Sequence, residues 1–482
     1  MPEAANSVDC ESCEATEQSC LGKRLTRKEA DLRDFMNTPI CDFIKEYEAK
    51  GISRFHMPGH KGVPFLGCEN RDITEICGAD ELYEAEGIIA ASEKNANALF
   101  GFGKTIYGTE GSSQCIRTML FLALQARENR TARPVVLAAR NAHKAFLYSC
   151  ALLDLDVEWL LPEGTKSLCA CPITAEQVAE GLKKSSAFAV YITAPDYLGY
   201  SLDIKGIAAA CRAAGVPLLV DNAHGAYLKF LHPSKHPLDL GAAMSCDSAH
   251  KTLPVLTGGA YLHLSEEWAE RVGRQAKKAM ELFGSTSPSY LILQSLDLCN
   301  RYLAEGYREK LQWTIGQIGH LRGQLKKQGW TVMMDSDPLK LTIFTGEKGY
   351  RGREVAEILR AHEVECEFAD LDAVVLMATP ENTERDFQRI EKALERLPQK
   401  EKIEPSQMPQ ILPKQKMRIR EAIFGRWEEI SCEEAVGRIC ASPCVSCPPA
   451  IPIAASGEEI TAELLPLFRA YGIEKIEVVK RT

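Results

Sequence analysis

Lys251 stands between two kinds of neighbour: Asp247, Ser248 and His250 precede it, and Val255, Leu256, Gly258, Gly259 and Ala260 follow. A lysine held among apolar residues has its ammonium form disfavoured, so the free amine becomes available as a nucleophile. An amine condenses with an aldehyde. Asp221, closing the apolar run "VPLLVD", could keep a heteroaromatic nitrogen protonated, and the imidazole of His143 could face an aromatic ring. In "TEGSSQCIRTMLFLALQAR" (109–127), Gly111 permits a tight turn, Ser112 and Ser113 have N-cap character, and a long apolar-faced helix follows. Such a helix start binds phosphate through its backbone N–H groups. Ser248 and His250 could complete that cradle. Lysine, carboxylate, imidazole and phosphate cradle are together what pyridoxal phosphate requires.

The elements that must hold these residues follow from the pattern between about 95 and 265. The β-rich runs "VVLAA" (135–139), "AFAVYI" (187–192) and "VPLLVD" (216–221) alternate with helical stretches such as "DIKGIAAACRAAG". Strand–helix–strand units at this spacing predict a mostly parallel sheet covered on both faces. Ligands of such sheets bind at the carboxyl ends of the strands. There the three runs deliver Arg140, Asn141 and His143; Thr193, Pro195, Asp196 and Tyr197; and Asp221, Asn222 and His224. Two rival motifs fail. "HMPGH" (56–60) spaces two histidines as a zinc helix does, but Pro58 and Gly59 break a helix and the glutamate is missing. "GFGKT" (101–105) lacks the glycine that opens a P-loop, since Ala98 stands there.

Composition narrows the function classes. The chain has 482 residues, 45% apolar, with a formal charge of −9 and scattered Lys and Arg, which argues against a nucleic-acid partner. No apolar run approaches the roughly 20 residues of a membrane span. The polar, acidic N-terminus has no signal-peptide core, so a cytoplasmic protein is expected. The 18 cysteines are dispersed, and most are expected to be reduced, buried small hydrophobes. Cys10 and Cys13 (with Cys20 nearby) and Cys444 and Cys447 form two C-x-x-C pairs, but about 430 residues part them and incidental thiols are expected rather than a metal site.

The expected organisation is an N-terminal arm and segment (1–95), a large domain (96–315), a small α+β domain (316–400), and a linker with a C-terminal α+β domain (401–482). "PQKEKIEPSQMPQILPKQK" (398–416) has linker composition.

With these residues in place the sequence resembles the Orn/Lys/Arg decarboxylase family, short form, of fold-type I pyridoxal phosphate enzymes. The motifs that carry the resemblance are "FHMPGHKG" (55–62), "DITEICGADELYEAEGIIAASE" (72–93), "GSS" (111–113), "RNAHK" (140–144), "TAPDYLG" (193–199), "DNAHGAYL" (221–228), "SAHKTLPVLT" (248–257), "TSPSYLILQSLD" (286–297) and "PPAIPIAASGEEIT" (448–461). The resemblance implies an aspartate aminotransferase-like large domain and decarboxylation of lysine, arginine or ornithine to a polyamine-type amine and CO2. It implies a Schiff base on Lys251, Asp221 at the pyridine nitrogen and His143 on the ring. His224 would lie near the phenolic oxygen or the substrate carboxylate. Gly111, Ser112, Ser113, Ser248 and His250 would hold the phosphate, with Thr193 in the same cofactor-binding set. Lys251 or His250 would reprotonate the substrate. The distal cation needs an acidic partner, for which Glu367, Asp80 and Glu81 are candidates. The resemblance also implies a homodimer with its active site at the interface, reached by "STSPSY" (285–290). Asn222 departs from the acidic residue the family often has there. Two alternatives stay open: an aminotransferase or other lyase on the same fold, with Arg351 or Arg353 anchoring the substrate carboxylate, and a binding protein that inherited the fold.

Overall fold

The computed structural model describes residues 36–162, 167–405, 413–445 and 450–481. The N-terminal arm, Cys10, Cys13, Cys20, Cys447 and the middle of the linker lie outside the described residues. From Asn37 onward the chain forms one compact unit.

Its centre is a seven-stranded sheet. The strands are β1 (Lys104–Gly108), β2 (Val135–Ala139), β3 (Asp156–Leu160), β4 (Ala189–Thr193), β5 (Leu218–Asp221), β6 (Met244–Asp247) and β7 (Ala260–Leu264), in the order β1-β7-β6-β5-β4-β2-β3. β2 to β6 run parallel, and β7 is antiparallel to both β6 and β1. The three runs expected from the sequence are β2, β4 and β5. Their near-continuous Val, Leu, Ile and Ala content matches a sheet buried on both faces. Helices Gly111–Ala126, Lys144–Leu153, Ala175–Lys184 and Ile204–Ala213 fill the crossovers. Asp203 caps the last of these by accepting from Gly206 N. Helix Pro39–Ala49 is expected from "TPICDFIKEYEAKG", and its first N–H groups are held by a distant residue: Asp297 Oδ2 accepts from Ile40 N and Cys41 N at 3.1 and 3.0 Å.

One apolar core around this sheet draws on Ile40 to Leu311 and on Leu339, Ile419 and Ala455, and a second from Ile318 to Leu394 surrounds a smaller antiparallel one. That smaller sheet contains β8 (Thr331–Val332), β9 (Lys340–Phe344), β10 (Phe368–Ala369) and β11 (Ala373–Met377), in the order β10-β11-β9-β8. The start of the predicted linker lies against this unit, with Ile403 N donating to Gly346 O at 3.0 Å and Lys400 N to Lys348 O at 3.1 Å. A third core lies between Cys432 and Val478. Its strands are β12 (Trp427–Ser431), β13 (Cys444–Val445), β14 (Pro452–Ala454) and β15 (Lys475–Val479), with β12 paired to β15 and β13 to β14. This unit joins the end of β2 through Arg140, whose Nη2 donates to Glu458 Oε2 at 2.9 Å. Lys144 N also donates to Ala450 O at 2.9 Å. Among the described residues no helix is long and apolar enough to cross a membrane.

Candidate active site

β6 ends at Asp247, and the next residues turn at once into a single helical turn, Ala249–Thr252, that carries Lys251. Lys251 Nζ lies 2.9 Å from His224 Nε2, which follows the neighbouring strand β5. Burial is the main force lowering the lysine's proton affinity; Asp221 and Glu367 oppose it and Lys340 adds to it. Burial also pushes His224 well below its ordinary range, with Lys251 the next cause, so its imidazole is neutral at pH 7.

Asp221 is buried at the end of β5, beside Thr193 in register. Its carboxylate accepts from Tyr191 OH at 3.1 Å and Ala223 N at 3.2 Å, and Cys246 Sγ lies 3.6 Å away. Tyr191 sits inside an apolar run and escapes a reading by strand ends; the signal was a phenol within a buried strand, where its hydroxyl needs a partner. His143 precedes helix Lys144–Leu153 and caps it, Nδ1 accepting from Ala145 N at 3.1 Å. That bond leaves the ring's proton on Nε2 in the neutral form, and burial lowers its pKa, with Asp221 opposing.

Gly111 opens helix Gly111–Ala126 at φ +69°, and a Cβ there would meet nothing within 4 Å. Gly111 N donates to Gly258 O at 2.7 Å, tying the helix start to the loop that follows Lys251. The preceding Glu110 makes no side-chain capping bond; its carboxylate accepts from Ser285 N. The first-turn N–H groups at Ser112 and Ser113 thus receive no cap from it. Ser248 is buried. His250 Nδ1 lies 2.9 Å from Gly259 O, which places the proton there, and burial lowers its pKa. Neutral His250 therefore presents an unprotonated Nε2.

Several buried polar atoms here have no hydrogen-bond partner among the described residues: His224 Nδ1, Thr193 Oγ1, Thr252 Oγ1 and Asn141 Oδ1. Such atoms cost stability unless satisfied, so the ends of β2, β4, β5 and β6 suit a polar ligand. An aldehyde condensing with Lys251, a ring nitrogen facing Asp221 and a phosphate at Gly111–Ser113 fit this donor set.

Glu367, from the small sheet, joins the cluster: Tyr197 OH donates to Glu367 Oε1 at 2.6 Å, and the Tyr197 ring packs on His224 with centroids 5.1 Å apart. Asp80 and Glu81 are committed elsewhere. Asp80 accepts from Gly87, Ile89 and Ala90 N at 2.8–3.3 Å, capping helix Ile88–Phe100, and Glu81 accepts from Tyr83 N at 2.9 Å. Arg351 pairs with Asp372 at 3.3 Å and Arg353 donates to Ala470 O at 3.0 Å. Among the described residues no hydrogen bond or ion pair links these four to Lys251.

One group of potential metal ligands occurs among the described residues, His236, Asp247 and His263, all fully buried. Its members face one another, with His263 Nε2 3.4 Å from Asp247 Oδ2. His236 Nδ1 accepts from Leu238 N at 3.3 Å, so Nε2 keeps the proton and donates to Asp247 Oδ2 at 3.0 Å. Asn222 Nδ2 donates to Asp247 Oδ1 at 2.8 Å, which is the use this chain makes of its unusual asparagine.

Comparison with known proteins places this geometry. Residues 38–336 match the family described as Orn/Lys/Arg decarboxylase, major domain. The chain is 27% identical over 463 residues to an arginine decarboxylase of Halalkalibacterium halodurans, covering 90% of this chain and 93% of that one. It is 28% identical over 459 residues to the arginine decarboxylase of Bacillus subtilis, covering 88% and 92%. The fold is that of fold-type I pyridoxal phosphate enzymes: the lysine decarboxylase LdcF of Francisella novicida superposes with a TM-score of 0.76 at 18% identity, covering 92% of this chain and 81% of that one. The family match covers the stretch that holds His143, Asp221, His224 and Lys251, and the chain belongs to the Orn/Lys/Arg decarboxylase family of pyridoxal phosphate-dependent amino acid decarboxylases.

Proposed function

We propose that this protein decarboxylates a basic amino acid, with arginine the first candidate, using pyridoxal phosphate held on Lys251. The observation that carries the proposal is the buried Lys251 amine, 2.9 Å from a neutral His224 and one strand away from Asp221. The names of the relatives support arginine over lysine and ornithine. When bound, the cofactor supplies the electron-withdrawing ring that takes up the charge left as CO2 departs.

The chain's own residues divide the remaining work. Lys251, its ammonium form disfavoured by burial, offers a free amine for attachment. Asp221 would hold the proton of the ring nitrogen, steadied by the Tyr191 hydroxyl, and His143 would cover one ring face. The helix start at Gly111, Ser112 and Ser113, with Ser248, would take the phosphate; Thr193 Oγ1 has hydrogen-bonding capacity to give. His250 Nε2 carries no proton in the neutral form, so reprotonation of the substrate Cα falls to Lys251 Nζ, with His250 holding the lysine's loop through Gly259. Glu367, aimed by Tyr197, would meet the substrate's guanidinium, a geometry that allows a charge-assisted pair.

The proposal takes the enzyme to be a cytoplasmic homodimer. Phe55, Met57, Val63, Phe65 and Leu66 are exposed in one short stretch, Phe55 and Leu66 by 97% and 89%. Exposed apolar side chains of this kind support a surface that a second copy covers. Ser285, Thr286 and Ser287 are also exposed, and the first of them is tied to Glu110.

The test is the visible spectrum of the purified protein and of Lys251→Ala, then CO2 release from arginine, lysine and ornithine. We expect cofactor absorbance that the variant loses, and CO2 from arginine. Absorbance with no CO2 from any of the three would reject the decarboxylase assignment, and no absorbance after adding cofactor would reject the attachment.

A further inference from the structure

The cation nearest in kind to Lys251 is a second lysine that the chemistry above does not use. Lys340 opens β9 in the small sheet and is 1% exposed. Its Nζ donates to the backbone oxygen of Asp196 at 2.5 Å and lies 3.7 Å from Asp337 Oδ2. Asp337 accepts from Tyr227 OH at 2.5 Å, and its backbone N donates to Gly199 O at 2.8 Å. Thr342 Oγ1 donates to Leu198 O at 2.7 Å. One edge of the small unit is thereby fastened along the 196–199 turn. That turn holds Tyr197, whose ring packs on His224, while Tyr227 lies three residues beyond His224. Gly199 has φ +96°, and a Cβ there would press on Asp337 Cβ at 3.2 Å and on the Lys340 stem at 3.4 Å.

We propose that Lys340 is a positioning residue of the Lys251 site: it fastens the Tyr197 turn against His224 and presents a buried charge to the Lys251–His224 pair. The groups facing Lys340 are Asp196, Asp337, Tyr227 and Arg322, whose Nη2 donates to the backbone oxygens of Asp337 and Lys340. Burial raises the Asp196 carboxyl to about 7, with Lys340 opposing. Both Lys251 and His224 feel Lys340 as a charge that disfavours their protonation. Asp221, Glu367 and Cys246 face Lys251 with the opposite effect. Lys340 thus helps keep the Lys251 amine free for attachment. Its functional meaning rests on Lys251 being the cofactor-bearing residue, but the charge effect is readable on the amine itself.

The experiment is competitive acetylation of the full-length, cofactor-stripped protein with acetic anhydride across pH, read by mass spectrometry on the Lys251 peptide. Lys340→Gln keeps a donor for the Asp196 oxygen and drops the charge; its Lys251 midpoint is expected to rise by roughly one pH unit. Lys340→Arg should restore the original midpoint to within about 0.3 unit, and Thr342→Val, which loosens the same turn without touching charge, should leave it in place. Asp337→Asn should move it downward, which gives a reading of opposite sign if Lys340→Gln fails to fold. An unmoved midpoint in folded Lys340→Gln, an equal rise in Thr342→Val, or no fall in Asp337→Asn would each overturn the proposal. A missing cofactor spectrum in the wild type would reject the proposed function while this midpoint still decides the role of Lys340.

Discussion

Glu458→Ala should loosen the junction between the C-terminal unit and the cofactor-site strands far more than its distance from Lys251 suggests. Glu458 is 1% exposed; its Oε2 accepts from Arg140 Nη2 at 2.9 Å and from Ala455 N at 2.7 Å. Truncation strands a nearly buried guanidinium and one buried amide. Breaking a buried pair from one side costs about 3–5 kcal/mol. Arg140 would keep its bond to Ile453 O at 3.2 Å and its place 4.8 Å over the Trp159 ring, so the lower end, about 3 kcal/mol, applies. That is roughly a hundredfold in a local opening equilibrium. Hydrogen exchange of peptides spanning 140–150 and 451–460 reads this opening directly. Glu458→Gln keeps an acceptor and should cost about 1–2 kcal/mol. Combining Arg140→Met with Glu458→Gln should return part of the loss, since no charge is then left unpaired. Exchange accelerated less than about threefold by Glu458→Ala, or a double variant as open as the sum of the singles, would refute the ion-pair account.

Two further perturbations test other parts of the structure. Burial raises the Asp297 carboxyl to about 6, while an unfolded aspartate titrates near 4. Between those values the unfolded chain gives up its proton first, so stability falls as pH rises through the window; Asp297→Asn should remove about 2 kcal/mol of that fall, seen as a flatter urea midpoint against pH. Phe65→Ser with Leu66→Ser should weaken self-association at least roughly tenfold in sedimentation velocity, and an unchanged profile would remove this stretch from the interface.

The sequence revealed most where one residue type had one structural use. Runs such as "VVLAA" are strands of the central sheet, and the polar residues that end them divide: His224 meets Lys251, whereas Arg140 turns to Glu458. β6 and β7 were not legible, because Ser245, Asp247 and His263 interrupt their apolar pattern and find partners only across strands. The helical turn that carries Lys251 starts from β6, so its placement was visible in composition but not in geometry. Asp80 looked like a spare carboxylate because the amides it caps begin six residues later, beyond the reach of an ordinary N-cap pattern. Lys340 gave no signal at all. A single lysine at the head of a strand acquires its meaning from Asp196, 144 residues away, which tertiary structure alone brings to it.

The bond from Gly111 N to Gly258 O sets a length. Gly258 has φ +102°, and a Cβ there would meet Thr109 O at 2.8 Å, so the two backbones can approach this closely only with glycine at that point. Seven residues of chain on one side and one hydrogen bond on the other fix the span between the Lys251 amine and the start of the helix. The loop is a calliper. A ligand gripped at both jaws would be gauged by its size before its charge matters, and the gauge depends on the missing side chain at Gly258.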